Sequence, residues 1–165
     1  MTTKILLVED QQDNIRAAKE FLKEFDLTIV KNYNDAIRVI SEKSFDVLMT
    51  DVNIPKGKDS VCTNDSKTYP LGLIIALRAM SHGIKKVGIL TSGDHHTDAI
   101  TYAFDGGIKI GTDIYCTNNC NIYVIKDSFE KVDMNKWASY GNTKKLLVKN
   151  WGRLLEKLLN GENGN

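Results

Sequence analysis

Leu48-Met49-Thr50-Asp51-Val52-Asn53-Ile54-Pro55 is the stretch from which the rest of this chain can be read. An apolar run climbs to one carboxylate and breaks at a proline four residues later. Asp46 to Thr50 predicts a buried strand, with Asp51 at its C-terminal lip. In open α/β sheets that lip is where ligands bind. A carboxylate there costs free energy to desolvate unless a cation or another partner meets it. Other strand ends must supply those partners.

Upstream, Lys4-Ile5-Leu6-Leu7-Val8 is a continuous apolar run suited to a central parallel strand, and it ends in Glu9-Asp10. Asp13 is the expected cap of a helix carrying Ile15, Ala18, Leu22 and Phe25 at three- and four-residue spacing. Leu27 to Val30 is a second strand, and Asn34 is the expected cap of a helix over Asp35 to Glu42. Downstream, Lys56 to Tyr69 is polar and without apolar period, so it is expected as a loop. Pro70 opens a helix that Gly83 ends. Val87 to Thr91 is the fourth strand, and a further helix runs from about Thr97 to Phe104, stopped by Gly106-Gly107.

Lys109-Ile110 and Ile114-Tyr115 flank Gly111-Thr112-Asp113 as a small hairpin. Ile122 to Ile125 is the fifth strand, running into Lys126. An irregular segment holding Trp137 follows, then a last helix over about Asn142 to Leu159. Strands alternating with helices predict a three-layer α/β sandwich around a five-stranded parallel sheet in the flavodoxin-like order 2-1-3-4-5. One domain over residues 1–160 is expected, with insertions at about 56–69 and 108–121 and a frayed tail at 161–165.

The length of 165 residues suits one sizeable core. A composition of 42% hydrophobic and 26% charged residues excludes a disordered chain. The net charge of +1 gives no bulk electrostatic case for nucleic acid or membrane. No apolar run reaches membrane-span length, and Ile5 to Val8 is too short for a signal peptide, so a cytoplasmic protein is expected. Three cysteines argue against a disulfide framework.

In such a sheet the strand ends bring together Glu9, Asp10, Asp51, Thr91 with Ser92, and Lys126. Three carboxylates in one pocket repel one another, and a hard divalent cation such as Mg²⁺ relieves this. A hydroxyl and an ammonium beside them suit a phosphoryl group, whose charge spreads over three oxygens. A carboxylate can itself be the nucleophile, giving an acyl phosphate. The set describes a site that phosphorylates Asp51.

The chain resembles the receiver domains of two-component response regulators, including single-domain forms such as the chemotaxis regulator. The resemblance lies in Ile5-Leu6-Leu7-Val8-Glu9-Asp10, Met49 to Pro55, Ile89-Leu90-Thr91-Ser92 and Tyr123-Val124-Ile125-Lys126. It implies that Asp51 accepts phosphate from a histidine kinase or phosphotransfer protein. It further implies that Asp10, Glu9, Asp51 and the Asn53 backbone carbonyl hold Mg²⁺. Thr91 and Lys126 would contact phosphoryl oxygens, and Thr91 with Tyr123 would form the switch; Tyr123 as a plain sheet aromatic stays open. The implied activity is at most Mg²⁺-dependent self-phosphorylation and self-dephosphorylation, with output to another protein.

The chain also departs from the family. The loop after Asp51 is long, with the usual glycine displaced to Gly72, and a second insertion precedes the fifth strand. Asp127 follows Lys126 where the family has proline. Gly93 stands where a side chain influences access of hydrolytic water.

Asp127 and the two insertions keep open a receiver-like binding scaffold that does not require phosphate. A Mg²⁺-dependent phosphatase is disfavoured because its usual second aspartate is here Asn53. Cys116 and Cys120 with His95-His96 are better read as ordinary loop residues than as a zinc site. The stripe Leu147, Trp151, Leu154 and Leu158 on the expected last helix is mostly core, with a margin that could pair with a second copy or partner.

Overall fold

The computed structural model describes residues 2–57, 68–91, 112–117, 120–126, 129–133 and 145–160. Strand β1 spans Lys4–Val8 and every residue after Lys4 is buried. Helix α1 (Gln12–Phe21), β2 (Asp26–Val30), α2 (Tyr33–Glu42) and β3 (Val47–Thr50) follow. Next come β4 (Ile54–Pro55), β5 (Thr68–Tyr69), α3 (Leu71–Ser81) and β6 (Lys86–Thr91). The C-terminal part holds β7 (Thr112–Thr117), β8 (Cys120–Lys126), β9 (Phe129–Asp133), β10 (Lys145–Lys149) and a last helix, α4 (Trp151–Asn160).

The main sheet has the order β2-β1-β3-β6-β8-β7. Its first five strands are mutually parallel and reproduce the expected 2-1-3-4-5 order. The sheet has one more strand than expected, because β7 pairs antiparallel to β8 at the edge. Side chains of β1 alternate between two cores. Leu6 and Val8 pack with Ala36, Val39 and Ile40 of α2 and Ile75, Ala76 and Ala79 of α3. Ile5 and Leu7 pack with Ala18 and Leu22 beside α4's Trp151, Leu154, Leu155 and Leu158. Helices thus cover both faces, which is why the central strands read as unbroken apolar runs.

Several local expectations need correction. The hairpin near residue 114 is formed by β7 and β8, with Thr117 opposite Cys120, so Thr112 and Asp113, expected in its turn, belong to strand β7. The segment before the last helix is not all irregular, since β9 pairs antiparallel with β10. Residues 145–149, expected as the start of a helix, are strand β10; the helix begins at Trp151. An apolar run as short as Leu146 to Val148 suits either period, and pairing with β9 decides for the strand. Helix α1 is preceded by Gln11, with Asp13 inside its first turn. The cap of α2 is Asn32, whose side chain accepts the Asp35 N–H at 2.9 Å, not Asn34. Thr68–Tyr69, expected as loop, pairs with Ile54–Pro55. The expected helix at 97–104, the Gly106-Gly107 stop, His95-His96, Trp137, Asp127 and the 161–165 tail lie outside the described residues.

Gly83 ends α3 with φ +88°, and the following Ile84 N–H reaches back to the Ala79 carbonyl. No described helix is long and apolar enough to cross a membrane.

Candidate functional site

The parallel ladder carries the acids to one edge. Val8 pairs with Thr50, and the Asp51 N–H continues the ladder to the Val8 carbonyl at 3.1 Å. Glu9 and Asp51 are therefore neighbours at the C-terminal lips of adjacent strands. Oxygens of Glu9, Asp10 and Asp51 all lie within 4.8 Å of one another. Glu9 is fully buried and Asp51 is 4% exposed. Thr91, 1% exposed, ends the neighbouring strand β6.

Among the described side chains, the ammonium that meets this cluster belongs to Lys149, the last residue of β10. Its Nζ donates to Asp51 Oδ2 at 2.6 Å and to Glu9 Oε2 at 3.0 Å, and the side chain is wholly buried. The ring of Trp151 lies 5.5 Å from the same nitrogen. Lys126, expected in this role, has its backbone opposite Thr91 at the end of β8, and its side chain lies outside the described residues. Tyr123 pairs through its backbone with Gly88 and Ile114; its side chain is likewise outside.

Sequence reading misses Lys149 because the run Leu146-Leu147-Val148-Lys149 merges with the expected last helix. The signal was present: it repeats the pattern of Tyr123-Val124-Ile125-Lys126, directly ahead of an amphipathic helix. Asn150, between Lys149 and that helix, caps it by accepting the Arg153 N–H at 2.9 Å.

Hydrogen bonds orient Asp51 and Glu9. Asp51 Oδ1 accepts the Val52 N–H at 2.7 Å. Glu9 Oε1 accepts the Gln11 N–H at 2.9 Å, and Glu9 Oε2 accepts from Asn14 Nδ2 at 3.3 Å. The Asp51 carbonyl accepts the Thr50 hydroxyl at 2.8 Å. Gly72, at the start of α3, is where a close approach is required. Its N–H donates to the Val52 carbonyl at 2.9 Å, and a Cβ there would overlap the Asp51 carbonyl oxygen.

Burial pushes the Glu9 carboxyl up; Lys149 pulls against it and Asp51 adds to it. Asp10 is also raised, by burial first, with Asp51 contributing. Among the described residues, two of the three carboxylates pair with the Lys149 ammonium, so acids outnumber cations in the cluster, and its ligand atoms are all hard oxygens. That donor set fits a small hard divalent cation better than a soft one. Asn53, half-buried, stands two residues beyond Asp51.

Fold and site together define a flavodoxin-like α/β protein with an acid–lysine cluster at the carboxyl edge of its sheet. Among solved structures the chain is similar to response regulator receiver domains. One, CheY-like, is from Methylobacillus flagellatus (16% identity, 79% of this chain and 90% of that one, TM-score 0.48). Another is the signal receiver domain of a Luxo repressor protein of Vibrio parahaemolyticus (16% identity, 83% and 85%, TM-score 0.48). A third, CheY-like, is from Methanospirillum hungatei (14% identity, 83% and 88%, TM-score 0.47). By sequence, 55 residues are 42% identical to the protein named Probable histidine kinase 1 of Oryza sativa subsp. indica. That match spans 32% of this chain and 6% of the kinase. No family model matches the chain.

Proposed function

We propose that the chain is a phosphoacceptor receiver of a two-component phosphorelay, a single domain that takes a phosphoryl group on Asp51 and signals by binding another protein. The observation that carries this reading is the buried pairing of Asp51 with Lys149, beside Glu9 and Asp10, at the carboxyl edge of the sheet. An Asp51 carboxylate oxygen forms the new P–O bond as the P–N bond to a donor phosphohistidine, protonated on its second nitrogen, breaks and leaves neutral imidazole. Lys149 pairs with a phosphoryl oxygen, Lys126 at the end of β8 is a second candidate for that contact, and the Thr91 hydroxyl donates to another. Glu9, Asp10, Asp51 and the Asn53 carbonyl are the residues to hold Mg²⁺. When bound it neutralises charge shared by the carboxylates and the phosphoryl oxygens. Phosphate contacts favour one arrangement of Thr91, and Tyr123 on the adjoining strand is the partner in that switch. The donor is a histidine kinase or phosphotransfer protein, and the setting is the cytoplasm.

Acetyl phosphate with Mg²⁺ should add one phosphoryl group, detected by intact mass, and beryllofluoride with Mg²⁺ should occupy the same site. Asp51→Asn should abolish both. A chain that shows neither modification nor saturable Mg²⁺ binding would instead be a receiver-like scaffold that works without phosphate.

A further inference from the structure

Lys149 reaches Asp51 from outside the main sheet. A lysine ending a main-sheet strand is held in place by its ladder, but among the described residues β10 pairs with β9 alone. Its link to the acidic edge runs through Asn14 of α1, which is 6% exposed. Asn14 Oδ1 accepts the backbone N–H of Lys149 at 3.1 Å. Its Nδ2 donates to Glu9 Oε2 at 3.3 Å and to Gln11 Oε1 at 3.3 Å. The Lys149 ammonium donates to that same Glu9 oxygen. One amide therefore grips both the backbone of the lysine and the carboxylate with which the lysine pairs. This needs an acceptor at one end and a donor at the other, which a carboxamide supplies and an aspartate does not.

We infer that Asn14 is the positioning residue that sets the Lys149 ammonium on Asp51. Its consequence for phosphorylation rests on the phosphoacceptor reading; the placement of Lys149 does not.

Amide hydrogen exchange tests the placement directly. In Asn14→Ala the Lys149 N–H should exchange about tenfold faster, as loss of one hydrogen bond implies, while amides of β1 and β3 keep their protection. Asn14→Asp keeps the acceptor but sets a second carboxylate against Glu9 Oε2, so it should lose Lys149 protection as well. At saturating Mg²⁺, Asn14→Ala should slow modification of Asp51 by acetyl phosphate about ten- to a hundredfold. In a Lys149→Met background the same change should cost nothing further, because Asn14 acts through Lys149. Unchanged Lys149 exchange in Asn14→Ala, protection in Asn14→Asp equal to the parent's, or full additivity with Lys149→Met would each overturn the assignment. Should the parent protein resist acetyl phosphate altogether, the phosphoacceptor reading fails, while the exchange data still judge Asn14.

Discussion

Lys149 and Gly72 show how much of the candidate site depends on single residues. A buried ammonium is costly to desolvate, and here two carboxylate oxygens at 2.6 and 3.0 Å offset that cost. Gly72 acts by having no side chain. A methyl group would strike the Asp51 main-chain oxygen, a backbone neighbour that cannot rotate away. Gly72→Ala is therefore expected to destabilise at or beyond the upper end of about 1–3 kcal/mol, since α3 must move off β3. Urea denaturation checks this; a midpoint equal to the parent's would mean that α3 approaches less closely than described. Glu9, Asp10 and Asp51 were legible in the sequence because all three stand within two residues of the end of an apolar strand. Lys149 was harder, since two apolar runs end in lysine and only three-dimensional placement shows that Lys149 reaches the acids.

At the scale of elements, α4 and β6 are fitted to each other through Gly88. A Cβ there would lie 2.8 Å from both terminal carbons of Leu154 and from one of Leu158. Those atoms end flexible side chains, so Gly88→Val should cost about 1–3 kcal/mol, and Leu154→Ala should recover part of the loss in the double variant. Parallel denaturation of the three proteins reads this out; additive losses would place the crowding elsewhere. The same helix explains a misreading. Leu147, Trp151, Leu154 and Leu158 follow helical spacing in sequence, yet Leu147 belongs to β10 and is 53% exposed. Trp151, Leu154 and Leu158 are core, so the margin expected on this helix for a second copy shrinks to Leu159, 37% exposed. Periodicity could not find the break, because a strand five residues long gives no period of its own.

The molecule as a whole couples its stability to charge at one edge. Glu9 and Asp10 are raised above their ordinary values of 4.5 and 3.8. A carboxyl raised by folding contributes stability fully below its unfolded pKa and loses that contribution as pH rises through the folded one. A cation on the same oxygens needs them deprotonated, so its effect runs the other way. Added Mg²⁺ should raise Tm more at neutral pH than near about pH 5, gaining about 2.7 kcal/mol at a hundredfold excess over Kd. Thermal melts across Mg²⁺ concentrations measure it, and a gain independent of pH would remove Glu9 and Asp10 from the metal site.

The amino-acid sequence alone determined the parallel order of five strands and the meeting of Glu9, Asp10 and Asp51, because unbroken apolar runs and the residues that follow them are local properties. Tertiary structure decided the β9–β10 pair and the arrival of Lys149 under the hand of Asn14. Those depend on which distant segments pair, and Asn14 and Lys149 stand 135 residues apart in the chain.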